Sequence, residues 1–135
     1  MESAASYYAP DSLSGSYVLV VDADKERRML VVGILRYCGA LVTPVETPRD
    51  ALAVLQLLKP DVVVVDFSRP LEAALEFIAR VRAMRPEDGA DVRTIALGDA
   101  EADVETAQAR GFDRCLARPI EPWALCRAVA TFLER

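Results

Sequence analysis

The chain has 135 residues, 53% hydrophobic and 27% charged, which suits one domain around a single core and leaves no room for a second. It contains no histidine, which excludes Ser-His-Asp and Cys-His catalysis and every histidine-ligated metal site; Cys38, Cys115 and Cys126 are too few for a four-cysteine zinc centre. Sixteen Lys and Arg against 21 Asp and Glu leave a net charge of −5, so the chain lacks the positive field with which nucleic-acid binders collect phosphates. An odd set of unpaired cysteines with no signal-peptide pattern points to a reducing compartment, read as the cytoplasm, and the apolar runs are too short to span a membrane.

Residues 1–15 are small, polar and turn-forming and read as a flexible leader, with the domain over 16–135. From Tyr17 onward, short β-branched runs alternate with amphipathic stretches, the pattern of a parallel sheet covered by helices on both faces. The first strand is 17–21, ended by Asp22-Ala23-Asp24. A helix over 25–38 follows, with Met29, Val32 and Leu35 or Ile34 turned inward and Gly39 as its stop. The second strand is 40–44. Thr47 and Pro48 supply a hydroxyl cap and a proline at the first helical position, and Ala51, Leu52, Leu55 and Leu58 form the inner stripe of that helix. Four consecutive valines, 62–65, make the third strand, closed by Asp66. A third helix carries Leu75, Ile78 and Val81 inward and stops near Pro86. Strand four is 92–97, helix four 102–110, strand five 114–117 and helix five 121–133, with Leu125, Val129 and Phe132 inward. Five such units make an α/β, doubly wound, five-stranded parallel sheet.

In that architecture ligands gather at the carboxyl ends of the strands. The residues there are Asp22 and Asp24 after strand one, Asp66 after strand three, Gly98 and Asp99 after strand four, and Arg118 after strand five. An acid closing a buried four-valine strand needs a cation or a donor beside it, which marks Asp66 as functional.

Three segments, Val18-Leu19-Val20-Val21-Asp22, residues 60–70 around Asp66, and Arg118-Pro119-Ile120 after Gly111, resemble the receiver domain of bacterial two-component response regulators, and the resemblance covers 17–134. It implies the flavodoxin-like sheet order 2-1-3-4-5. It also implies that Asp66 accepts a phosphoryl group from a phosphohistidine on a histidine kinase or histidine phosphotransfer protein. Mg²⁺ would then be held by Asp22, Asp66 and the backbone carbonyl of Ser68, with Asp24 a further candidate ligand. A homodimer through helix four, strand five and helix five, and a cis bond before Pro119, belong to the same expectation.

The pattern is incomplete. The second of the paired acids is Ala23, which weakens the metal site. Gly98, or Ala96 in a register shifted by two, stands where the family has a hydroxyl, Cys115 where it often has an aromatic residue, and Arg118 where it has lysine. Arginine offers a planar fork rather than a point charge. Asp24 is equally suited to capping the first helix, and Arg118 to a plain ion pair with Asp66. The function expected is therefore a degenerate phosphoacceptor receiver, at most modifying itself at Asp66 and not an enzyme on other substrates. The alternative is a phosphorylation-independent pseudo-receiver that serves as an interaction module. A remote alternative, a haloacid-dehalogenase-type phosphatase starting at Asp22-Ala23-Asp24, fails at Glu26, where that family has Thr or Val.

Overall fold

The computed structural model describes residues 4–133. Its strands, β1 (Tyr17–Val21), β2 (Leu41–Val45), β3 (Val62–Phe67), β4 (Arg93–Gly98) and β5 (Arg114–Ala117), form one parallel sheet in the order β2-β1-β3-β4-β5. The helices are α1 (Ala4–Tyr7), α2 (Lys25–Tyr37), α3 (Pro48–Leu58), α4 (Glu72–Arg82), α5 (Ala102–Ala109) and α6 (Pro122–Leu133). The α/β doubly wound class and the sheet order expected above are thus the ones found.

Two hydrophobic layers sandwich the sheet. Val18, Val20, Val62, Val64, Ile95 and Leu97 pack on one face against Ile34 and Leu35 of α2 and Leu125 and Val129 of α6. The alternate residues Leu19, Val21, Val63, Val65 and Phe67 pack on the other face, against Leu55 of α3 and Phe77, Ile78 and Val81 of α4. Each fully buried Val, Leu, Ile or Phe contributes about 1.5–3 kcal/mol. Both faces are consumed this way, so chemistry is left to the strand ends.

Helix starts follow the sequence signals where a side-chain cap exists. Thr47 accepts from the Asp50 amide at 3.1 Å with Pro48 at the first position of α3, and Asp24 accepts from the Arg27 amide at 2.9 Å at the start of α2. That bond is the main reason the Asp24 carboxyl lies below the usual carboxylate range.

Three expectations about packing are corrected. Residues 4–15 are not a leader without folded structure: they form α1 and a run of turns, and Leu13 is buried, its amide donating to the Cys38 carbonyl at 2.8 Å. One large apolar side chain among the small polar ones, with a carbonyl at the C-terminal end of α2 to bond, is enough to seat the segment. Met29 and Leu58 point outward, because the middle of α2, residues 29–35, and the end of α3 carry apolar residues on more than one face and periodicity alone does not choose between them. Val31, Val32, Ile34 and Leu35 line the core instead of Met29, and Phe77 is the buried aromatic of α4.

All three cysteines are free and buried, as core residues of small volume. Burial pushes the Cys115 thiol up to about 11 and raises that of Cys126 also, whose sulfur lies 3.4 Å from that of Cys38.

Candidate functional site

The register of the sheet builds the site. Val21 of β1 pairs with Val65 of β3, so one further residue on each strand sets Asp22 beside Asp66. Asp66 in turn pairs with Leu97 of β4, and Gly98 with Ala117, which delivers Arg118 to the same end of the sheet. The Arg118 amide donates to the Gly98 carbonyl at 2.8 Å. The Arg118-Pro119 bond is cis, and so is Arg69-Pro70 in the loop after β3.

Arg118 lies across the pocket. Its Nη2 donates to Asp66 Oδ1 at 3.0 Å and lies 3.8 Å from Asp22 Oδ2; its Nη1 donates to Ser68 Oγ and to the Leu97 carbonyl, both at 3.0 Å, and to Asp99 at 3.1 Å. The contact with Asp66 is single, not the bidentate fork that a guanidinium permits. Ser68 enters through its hydroxyl, which donates to Asp66 Oδ1.

The bidentate grip belongs to a residue that sequence reasoning missed. Arg27, on the first turn of α2, donates from Nε and Nη2 to the two oxygens of Asp22 at 3.2 and 3.1 Å, and the same Nη2 donates to Asp66 Oδ2 at 3.1 Å. Asp22 is only 5% exposed, and its hydrogen bond to Arg27 holds the guanidinium above its ordinary range. A signal was available. The helix dipole disfavours cations in a first turn, yet α2 opens with Lys25, Arg27 and Arg28, which calls for carboxylates close by.

Two carboxylates therefore meet two guanidinium groups. Both oxygens of Asp22 and both of Asp66 accept charged hydrogen bonds, Asp24 caps α2, and Ala23 offers no side-chain oxygen. Among the described residues no three acids or cysteines stand together as a ligand set for a cation. Mg²⁺ needs near-octahedral oxygen ligation, so this arrangement does not fit it: the Arg27 fork occupies the carboxylate edges that an ion would use.

A second buried acid closes the rim. Asp103 of α5, 3% exposed, accepts from the amides of Asp99 and Ala100 at 2.9 and 3.1 Å and pairs with Arg69 at 3.3 Å. Its side chain fills the place next to Gly98, where an added Cβ would come 2.8 Å from Asp103 Cβ. Gly98 is the strand-end residue of β4, paired with Phe67, while Ala96 lies deeper, paired with Val65. Gly98→Thr is expected to destabilise the protein by about 1–3 kcal/mol through this overlap. Thermal melts check it, and Gly98→Ala, which adds only the crowding Cβ, should already show much of the loss.

Residues 18–130 match the family model of the response regulator receiver domain. The chain is a receiver domain. The curated relatives include an uncharacterised 14.6 kDa protein of Leptolyngbya boryana, 30% identical over 85% of this receiver and 88% of that protein. Another is a probable histidine kinase of Oryza sativa subsp. japonica, 31% identical over 90% of this chain but only 14% of the kinase. Among solved structures, a putative response regulator from Chloroflexus aurantiacus superposes with a TM-score of 0.80 at 23% identity, covering 89% of this chain and 98% of that one. The chemotaxis response regulator CheY4 of Vibrio cholerae gives 0.75 at 24%, covering 87% and 98%. Both likenesses are likenesses of fold. Receivers typically hold Mg²⁺ in an acidic pocket and serve signalling with histidine kinases or phosphotransfer proteins rather than catalysis on a separate substrate. In this receiver the pocket carries arginine on both sides of Asp66.

Proposed function

We propose that this receiver acts as an interaction module of two-component signalling whose pocket is held by Arg27 and Arg118, without Mg²⁺ and without a phosphoryl group on Asp66. The observation that carries this reading is the Arg27 guanidinium bridging Asp22 and Asp66. It neutralises the acids that a cation would otherwise bring together, and it bonds the Asp66 oxygen opposite Arg118, so both carboxylate oxygens already accept a charged hydrogen bond that makes them weaker nucleophiles toward phosphorus. The loss of the hydroxyl at Gly98 agrees with it, because no side chain there follows the state of Asp66. The partners this reading favours are histidine kinases or phosphotransfer proteins, a setting supported by the rice relative.

Phosphorylation at Asp66 is the competing reading, favoured by one observation: the acid keeps the acceptor's place at the end of β3 with a cation against it. Acetyl phosphate with Mg²⁺, followed by intact mass, separates the two. Wild-type protein is expected to show no phosphoryl adduct at any Mg²⁺ concentration, whereas Arg27→Ala combined with Ala23→Asp gains one that Asp66→Asn removes. A wild-type adduct that disappears in Asp66→Asn would overturn the proposal.

A further inference from the structure

The outer face of α2 is apolar where a helix covering a sheet ordinarily presents charge to water. Met29 is 53% exposed, Leu30 65% and Tyr37 52%, and Gly33 lies among them in the middle of that face. Nothing inside the molecule requires glycine there: its φ is not positive, and an added Cβ would meet open space. Glycine in mid-helix weakens the helix, and a close approach from outside is what makes its missing side chain useful.

The ends of the stripe carry opposite charges. The Glu26 carboxylate has no ion-pair partner among the described residues, and Arg36 gives one N–H to the Val42 carbonyl at 3.1 Å, leaving the rest of its fork uncommitted. Glu26, Met29, Gly33 and Arg36 are spaced three, four and three residues apart, a pattern that reads the same in both directions. At 3.6 residues per turn they share a strip about 80° wide.

We infer that this face pairs with the same face of a second copy of the chain about a two-fold axis, with the two α2 helices antiparallel. In that register Glu26 faces Arg36 of the other copy at both ends, and Met29 enters the notch over Gly33 in both directions, the self-complementarity a two-fold interface demands. Leu30 and Tyr37 flank the strip, and the Tyr8 ring, 4.9 Å from that of Tyr37, extends the apolar area. Exposed charge pairs add little affinity, so here they fix the register while the apolar contact holds the copies together. The remaining large exposed apolar residues, Leu41, Leu57 and Leu58, lie on β2 and α3. None among the described residues lies on α5, β5 or α6, where the family resemblance led the sequence reading to expect a homodimer.

Sedimentation velocity of the whole chain over a range of concentrations tests this. A dimer is expected in the wild type and its loss in Glu26→Arg, in Arg36→Glu and in Gly33→Met, with the circular dichroism of each monomer unchanged. The two charge reversals carry complementary stripes, so mixing them is expected to yield a heterodimer that neither forms alone, a recovery that a folding defect cannot mimic. A wild-type chain that stays monomeric, with its stripe left for another protein, would overturn the inference. So would a dimer indifferent to both reversals, or two reversed variants that fail to combine.

Discussion

Arg27→Ala is expected to lower stability by about 1–3 kcal/mol at neutral pH and to convert a protein indifferent to Mg²⁺ into one that Mg²⁺ stabilises. The first effect follows from what the guanidinium leaves behind. Asp22 is nearly buried and sits against Asp66, and without Arg27 one cation, Arg118, faces two carboxylates across 3.0 and 3.8 Å. Removing one member of a buried charge pair costs about 3–5 kcal/mol when solvent cannot reach it; Arg27 is 39% exposed, so screening brings the figure down. The second effect follows from the oxygens set free. Asp22 and Asp66 regain unshared edges directed at the space the guanidinium held, and Ala23→Asp adds the acid the family pattern has there. At a cation concentration of 100 times Kd, binding adds about 2.7 kcal/mol, which can recover the whole loss. Differential scanning calorimetry with and without MgCl₂ measures both. A melting temperature unmoved by the substitution and by Mg²⁺ alike would mean that Arg27 is a surface residue that happens to lie over the acids, and the proposed function would lose its support.

The largest pure stability effect is expected at a residue far from the pocket. Arg82, the last residue of α4, donates to the carbonyls of Ala90, Val92 and Gly111 at 2.8, 2.7 and 2.9 Å, to Thr94 Oγ1 at 3.0 Å and to Asp113 Oδ2 at 3.0 Å. One guanidinium thus ties the helix end to the loop before β4 and the loop before β5. Asp113 also accepts from the Thr94 amide at 2.8 Å, so the acid is fixed from two sides. Arg82→Met keeps the aliphatic stem and removes every donor, leaving three carbonyls and a carboxylate short of partners, and is expected to cost about 2–4 kcal/mol. For a domain of this size that is a fall of roughly 3–5 °C in Tm per kcal/mol. Arg80 is the control, two residues away on the same helix. Its ion pair with Glu76 at 3.3 Å is exposed on both sides, and Arg80→Met should stay within about 0.5 kcal/mol. Equal losses for the two variants in urea melts would show that the network is incidental. A double-mutant cycle with Asp113→Ala isolates the pair itself, and a coupling of about 1–3 kcal/mol is expected.

Much of the receiver could be read along the chain. The four valines before Asp66, the acid after Val21 and the proline after Arg118 name the ends of three strands, because β-branched runs buried on both faces allow few other readings. Asp24 left two roles open and the structure gives it the cap, since its side chain reaches the Arg27 amide while Asp22 takes the pocket. Ser68 was expected through its carbonyl, and the structure adds a role for its hydroxyl, which donates to Asp66 Oδ1. Arg27 was not seen at all. Within a Lys-Glu-Arg-Arg run it reads as one of several solvated charges, and nothing local distinguishes the arginine that reaches inward from its neighbours. The leader is the converse case, where composition suggested no structure and a single leucine supplied it.

The sequence by itself determined the fold, the family and the end of the sheet where chemistry would gather, because those depend on the order of apolar and polar residues along each strand. It also showed that the site carries Ala23, Gly98 and Arg118 where the family resemblance implies an acid, a hydroxyl and a lysine. Only the tertiary structure decided what fills it. Asp22 and Asp66 are 44 residues apart and meet through the β1–β3 register, and Arg27 reaches both from a helix whose direction no local pattern specifies. Charge pairing of this kind depends on distances of 3 to 4 Å between groups brought together by folding, and such distances are absent from the order of residues.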